Sequence, residues 1–221
     1  MLSYATRIKA LLNPAEHRQL KKLSSPQKIQ DFLDSLPINF ELNGETYMSV
    51  RRTLRERTAH CFEGALLGAL ALAYHGHKPL LLDFTTTPED ECHVVALFKV
   101  NGLWGALSKT NHSILRYRDP IYRSVRELAL SYFHEYLTWG GKKSLRMYSR
   151  PFDLSTYPVE SWITAEADVH FLVEAIDAVR HFPIIPNKNL KQLRKASPIE
   201  LRAMKIVEWK SPKKFKRRGG N

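Results

Sequence analysis

The chain has 221 residues, of which 43% are hydrophobic and 25% are charged, and its formal net charge is +12. This composition is ordinary for a soluble globular protein, and the length suffices to bury a core as one domain. Two cysteines are too few for a disulfide framework, the longest apolar run is too short to span a membrane, and the N-terminal residues lack a signal-peptide core. We therefore expect a cytoplasmic protein without a transmembrane segment.

Residues 1 to 48 are predicted to form a helical cover. Asn13 and Ser25 each stand before a proline, which is the pattern of a capping residue followed by the first residue of a helix. After the second of these starts, apolar residues recur at helical spacing and indicate a face turned to the core: Ile29, Phe32, Leu33 and Leu36. We expect this segment to cover the core rather than to carry function. Asn43-Gly44 gives a weak hairpin or loop signal.

A helix rich in small and apolar residues is predicted to begin at Cys61 and to end at Gly76. Because the free N–H groups and the dipole of a helix N-terminus stabilise a thiolate, a cysteine at this position is a candidate nucleophile. Gly64 and Gly68 lie four residues apart in this helix and indicate close approach of a neighbouring element. The arginines from Arg51 to Arg57 form either a solvated face or a surface that attracts an anionic substrate.

The residues after this helix predict an antiparallel sheet. Pro79 to Phe84 is an apolar run typical of a buried strand, and a second strand is predicted from His93 to Val100. Asn101-Gly102 is a hairpin signal, so a third strand, Leu103 to Leu107, is expected to lie antiparallel to the second.

The remaining part of the core is predicted to add two helices and one strand. Apolar spacing indicates helices from Ile121 to Tyr136 and from Thr164 to His181, and Leu145 to Tyr148 is a candidate strand between them. Pro151 to Pro158 is predicted to be a loop. We place the core domain at residues 49–186.

Residues 187–221 form a basic tail. They contain twelve Lys or Arg and two Glu, so the tail carries +10 of the net charge and the body only +2. A short helix is predicted after Ser197-Pro198, while Lys210 to Asn221 should be disordered alone. The tail sequence KKFKRR suits nucleic-acid phosphates or an anionic membrane surface; the alternative is a solubilising terminus without a partner.

Nucleophilic catalysis by a thiol needs a base within hydrogen-bond reach and a third group that orients the base. Cys61 at a helix start and His93 at a strand start can meet the first requirement. If the hairpin turns at Asn101-Gly102, residues numbered about 108 to 111 lie level with His93. Ser108 and Asn111 are therefore the candidate orienting residues, and neither is a carboxylate.

The segments HCFEGALLGALALAYHG, ECHVVALF and NGLWGALSKT resemble the transglutaminase-like cysteine domain. The resemblance covers about 50 residues and implies an α+β fold with a papain/transglutaminase-like core. In it the cysteine-bearing helix packs on an antiparallel sheet, with extra helices at both ends. It also implies that Cys61 is the nucleophile and His93 the base, with Ser108 at the position of the family's Asp. Asn111 could substitute for that Asp, as in a Cys-His-Asn set.

The expected function is that of a cysteine enzyme that acts on an amide or peptide substrate through a thioester, as a hydrolase or an acyl transferase, without a cofactor. The family also includes inactive members, so the alternative is a non-catalytic binding module whose tail contacts nucleic acid. Zinc binding by His60, Cys61, Cys92 and His93 is disfavoured, because adjacent strand residues point to opposite faces. A Cys61–Cys92 disulfide is disfavoured in a reducing compartment.

Overall fold

The computed structural model describes residues 3–212, which form an α+β fold. Its helices are α1 (Tyr4–Leu11), α2 (Pro14–Lys22), α3 (Pro26–Ser35), α4 (Val50–Glu56), α5 (Cys61–Tyr74), α6 (Val125–Tyr132), α7 (Val159–Ile163), α8 (His170–Asp177) and α9 (Pro198–Met204). Its strands are β1 (Leu80–Thr86), β2 (His93–Val100), β3 (Leu103–Leu107), β4 (Arg118–Tyr122), β5 (Leu145–Ser149), β6 (Phe152–Asp153) and β7 (His181–Pro183). Two short 3-10 helices, Leu154–Thr156 and Asn187–Gln192, complete the elements.

The strands form one sheet in the order β4-β3-β2-β1-β5-β7, and β6 pairs with β1. Every pairing is antiparallel. Successive residues of β1 belong to different hydrophobic clusters. Leu81 packs with α5 and the helices around it, whereas Leu82 packs with α6. The sheet is therefore covered on both faces.

Helix α5 is the centre of the larger cluster, and the sequence explains why. Its residues from Phe62 to Ala73 are all buried, and all of them except Glu63 are apolar or glycine, as expected for a helix that is enclosed by other elements. At Gly68 an added Cβ would lie 3.1 Å from the Leu107 side chain. Small residues thus let α5 lie close against β2 and β3.

The predicted helix start at Cys61 and the predicted hairpin are confirmed. Strand β2 begins at His93, and the β2–β3 register pairs Val100 with Leu103 around the Asn101-Gly102 turn. Gly102 has a φ of +81°, which glycine adopts without strain.

The helix predicted from Ile121 to Tyr136 is wrong at both ends. Residues Arg118–Tyr122 form the edge strand β4, and α6 covers only Val125–Tyr132. Pro120, which has no N–H to donate, is tolerated in this strand because β4 pairs on one side only. The side chain of Ser124 accepts the Glu127 N–H at 3.1 Å and caps the helix.

The second predicted helix, Thr164 to His181, is also too long. Only His170–Asp177 is helical, because the residues before it are bound to the N-terminal part of the chain. The Val169 N–H donates to the Tyr47 carbonyl at 2.8 Å, and Arg52 forms an ion pair with Asp168 at 2.5 Å. These tertiary contacts hold residues 164–169 as a loop.

The described part of the basic tail lies against the body. The Glu208 N–H donates to the Asn111 carbonyl at 2.9 Å, and the Ser113 N–H donates to the Ile206 carbonyl at 3.1 Å. Helix α9 matches the short helix predicted after Ser197-Pro198. The KKFKRR segment, for which disorder was predicted, lies outside the described residues. None of the helices in residues 3–212 is both long and apolar enough to cross a membrane.

Candidate active site

Cys61 is the first residue of α5. Two histidines act on its thiol: His60, which precedes it in the chain, and His93 at the start of β2. Burial by itself would raise the pKa of the Cys61 thiol, but its interactions with the His60 and His93 rings lower it to about 5. The residue stays partly exposed. At neutral pH the site therefore holds a thiolate that a reagent can reach.

Ser108 fixes the orientation of the His93 ring. His93 Nε2 lies 2.8 Å from the Ser108 hydroxyl, which in turn donates to the Leu115 carbonyl. A carbonyl only accepts, so the hydroxyl proton is committed to Leu115, and the hydroxyl must accept the proton of His93 Nε2. This leaves His93 Nδ1 unprotonated in the neutral ring and available for the thiol.

Ser108 is itself held by a residue of the N-terminal cover. The Gln30 side-chain amide bonds the Ser108 backbone on both sides, accepting from its N–H at 2.9 Å and donating to its carbonyl at 2.7 Å. Both residues are buried. Helix α3 was expected only to cover the core, yet it places the group that orients His93. A glutamine beside the apolar face of that helix was the available signal.

The other histidine, His60, was not assigned a catalytic role from the sequence. It is the N-cap residue of α5, and its Nε2 lies 2.7 Å from the Thr46 carbonyl, to which it must donate. Burial by itself would lower the pKa of His60, but the hydrogen bond to Cys61, the charges of Cys61 and Glu63 and the Thr46 carbonyl raise it to about 9. A usable signal was the spacing of His60 and Glu63, which is that of a capping box.

Glu63 ties the loop before α4 to the start of α5. Its side chain is fully buried and accepts hydrogen bonds from donors that surround both oxygens: Asn39 Nδ2 at 3.1 Å, Thr46 Oγ1 at 3.0 Å, Met48 N at 3.1 Å and His60 N at 3.0 Å. Because every partner donates, the group acts as an acceptor-only carboxylate. A buried negative charge thus lies two residues from Cys61 in the chain and 3.5 Å from His60 Nε2.

Asn111, the alternative orienting residue, forms its side-chain hydrogen bonds with the C-terminal segment. Its side-chain amide donates to the Trp209 carbonyl at 2.9 Å and accepts the Trp209 N–H at 2.8 Å. The structure therefore brings Cys61, His93 and Ser108 together and uses the Asn111 side chain to hold the C-terminal segment. We correct the Asn111 alternative accordingly.

Lys109 follows Ser108 in the chain, and its side chain packs against helix α5. It is fully buried, its Nζ donates to the Leu36 carbonyl, and burial lowers its pKa. An added Cβ at Gly64 would lie 2.4 Å from the Lys109 Cβ, so only glycine fits there without a shift. This contact is the packing reason for Gly64, and it fixes the distance between the thiol-bearing helix and the Ser108 strand.

The second cysteine does not share these properties. Cys92 is an exposed free thiol, and partial desolvation raises its pKa. Within residues 3–212, no three His, Cys, Asp or Glu side chains are grouped so that they could hold a metal ion. A groove of about 360 Å³ lined by Arg150, Phe152 and Tyr157 lies apart from the thiol.

No family model matches the chain, and no curated protein matches it significantly. The residues around Cys61 therefore carry the functional assignment.

Proposed function

We propose that this protein is a cysteine enzyme that attacks an amide or peptide bond and forms a thioester on Cys61. The observation that carries the proposal is a partly exposed cysteine at the start of α5, with Ser108 orienting the His93 ring from 2.8 Å. Interactions with His60 and His93 lower the pKa of this thiol to about 5. A thiolate is the form of cysteine that attacks a carbonyl carbon, and an adjacent histidine is the usual base.

In the proposed reaction the thiolate adds to the carbonyl carbon, and the C=O electron pair moves onto oxygen. Backbone N–H groups at the start of α5 are the candidate donors to this oxyanion. The pair then returns, and the C–N bond breaks as the leaving nitrogen takes the proton that the thiol had given to an imidazole. His93 Nδ1 next takes a proton from water or from an acceptor amine, which attacks the thioester and releases Cys61 as a thiolate.

The arrangement also supports a papain/transglutaminase-like core as the finer description of the fold. Along the chain, a cysteine helix comes first, then a histidine strand, and then a neighbouring strand that ends just before the third residue. This is the order that the sequence resemblance implies. The third residue, Ser108, orients the imidazole but supplies no charge to an imidazolium. The proposal therefore needs a source of negative charge elsewhere in the site.

The test uses p-nitrophenyl acetate, because its p-nitrophenolate leaves without being protonated. A thiolate can therefore take the acetyl group without an acid catalyst. In a Cys92→Ser background we expect a burst of about one p-nitrophenolate per chain followed by slower turnover. His93→Asn should keep a burst and lose the turnover, because no base remains to activate water.

The matched control is Cys61→Ser, which should show no burst. If the Cys92→Ser protein gives none, or if the burst survives in Cys61→Ser, the enzyme proposal fails. The alternative would then be a non-catalytic binding module, with nucleic acid or an anionic surface as the partner of the basic tail.

A further inference from the structure

We propose that His60 is the positively charged partner of the Cys61 thiolate, and that Glu63 supplies the carboxylate that is missing beside His93. The inference rests on the proposed function, since it assigns the resting proton within the same site. His60 then acts as the acid of the reaction, and His93 acts as the base.

The surroundings of the His60 ring favour a positive charge. Its Nε2 donates to the Thr46 carbonyl and lies 3.5 Å from Glu63 Oε1 and 3.7 Å from Glu41 Oε1. Only 15% of the His60 side chain and none of the Glu63 side chain is exposed, so solvent screens this pair weakly. Negative charge within about 4 to 6 Å stabilises the charged form of a histidine.

The surroundings of His93 differ from those of His60 in their charge. Its Nε2 meets the neutral Ser108 hydroxyl, and in residues 3–212 no carboxylate lies within ion-pair distance of its ring. A buried ring with a hydroxyl partner has less to stabilise an imidazolium than one beside two carboxylates. Within residues 3–212 only the His60 ring of the two has carboxylates at ion-pair distance, so we assign to it the proton lost by Cys61.

His60 Nδ1 has two roles that depend on this proton. In the neutral ring it accepts the Phe62 N–H at 3.3 Å and so caps α5. Nδ1 cannot accept a hydrogen bond while it carries a proton, so the charged ring donates from Nδ1 to the sulfur of Cys61 instead. Protonation thus exchanges a helix cap for a thiolate–imidazolium contact.

With this assignment every proton in the reaction can be followed. At rest Cys61 is a thiolate, His60 carries two protons and His93 carries one, on Nε2. When the C–N bond breaks, the leaving amine takes the Nδ1 proton of His60. When water attacks the thioester, His93 Nδ1 takes one proton, and the C–S bond breaks with its electron pair returning to sulfur. Transfer of the Nδ1 proton of His93 through solvent to His60 restores the resting state.

The experiment measures how the rate of alkylation by iodoacetamide depends on pH in Cys92→Ser protein. The titratable groups that face His60 are Cys61 and Glu63 on α5 and Glu41 and Tyr47 on the preceding loop. His60→Asn keeps a good N-cap residue while it removes the charge. We expect this substitution to raise the pH midpoint for Cys61 by about 1 to 3 units.

The matched control is His93→Asn, for which we expect a smaller rise of the midpoint. If His60→Asn leaves the midpoint unchanged, or if His93→Asn shifts it more, the inference is overturned. Neither result depends on catalysis: a protein that never forms a thioester can still show the shift, and an active enzyme can lack it.

A reciprocal measurement guards against a folding defect in the His60 variant. Nuclear magnetic resonance of the histidine rings follows the protonation of His60 directly. We expect the ring to stay charged to about pH 9 when Cys61 is present, and to titrate lower in Cys61→Ser, which removes the thiolate. An unchanged titration in Cys61→Ser would contradict the pairing.

Discussion

The pKa values of the two cysteine thiols are expected to be shifted in opposite directions. Burial would raise the pKa of Cys61, but the two histidines lower it from the ordinary 9.0 to about 5. Burial raises the pKa of Cys92, and its hydrogen bonds to Thr86 offset this only in part. At about 1.4 kcal/mol per unit, the Cys61 shift corresponds to about 5 kcal/mol in favour of its thiolate.

The assay is the rate of alkylation by iodoacetamide in the single-cysteine proteins Cys92→Ser and Cys61→Ser, from about pH 4 to about pH 10. Because only the thiolate reacts, each rate rises with pH through the pKa of the remaining cysteine. We expect a midpoint near 5 when Cys61 remains and one above 9.0 when Cys92 remains. The midpoint is the diagnostic quantity, since a thiolate of low pKa is intrinsically less nucleophilic. Equal midpoints for the two thiols would refute the reasoning.

Two further predictions concern packing and are read from thermal or urea unfolding. Tyr136→Phe should leave stability unchanged or raised, because its buried hydroxyl has no hydrogen-bond partner in the described part of the chain. Tyr132→Phe removes a 3.0 Å hydrogen bond to a backbone carbonyl and should cost about 1 kcal/mol; equal effects would contradict this. Gly64→Ala should cost about 1 to 3 kcal/mol, since its Cβ would lie 2.4 Å from that of Lys109. Gly68→Ala, whose nearest contact is 3.1 Å from the end of a side chain, should cost less.

The hairpin and the close packing of α5 could be predicted because each depends on residues that lie near one another in the sequence. A hairpin signal at Asn101-Gly102 sets the register of two strands, and this register places Ser108 near His93. The small residues of α5 likewise predict a helix that its neighbours approach closely. Asn111 fits the same register argument, but its amide is taken by a segment almost one hundred residues later in the chain.

Other parts of the site depend on contacts that no local pattern encodes. Gln30 bonds Ser108 from 78 residues away, and its helix has the ordinary pattern of a surface helix. The charge on His60 depends on a buried carboxylate, Glu63, whose partners come from a separate loop. The helix expected at residues 121–136 begins as strand β4 because the edge of β3 offers backbone partners there. In each case a tertiary contact decides the outcome.

The most direct test of Cys61 as the nucleophile is to locate the acyl group after reaction with p-nitrophenyl acetate. The Cys92→Ser protein is quenched in acid during the burst, and its mass and that of its proteolytic peptides are measured. We predict a gain of one acetyl group, carried by the peptide that contains Cys61 and absent from the Cys61→Ser protein. No acetyl gain on that peptide, or an equal gain in Cys61→Ser, would contradict the assignment of Cys61 as the residue that forms the thioester.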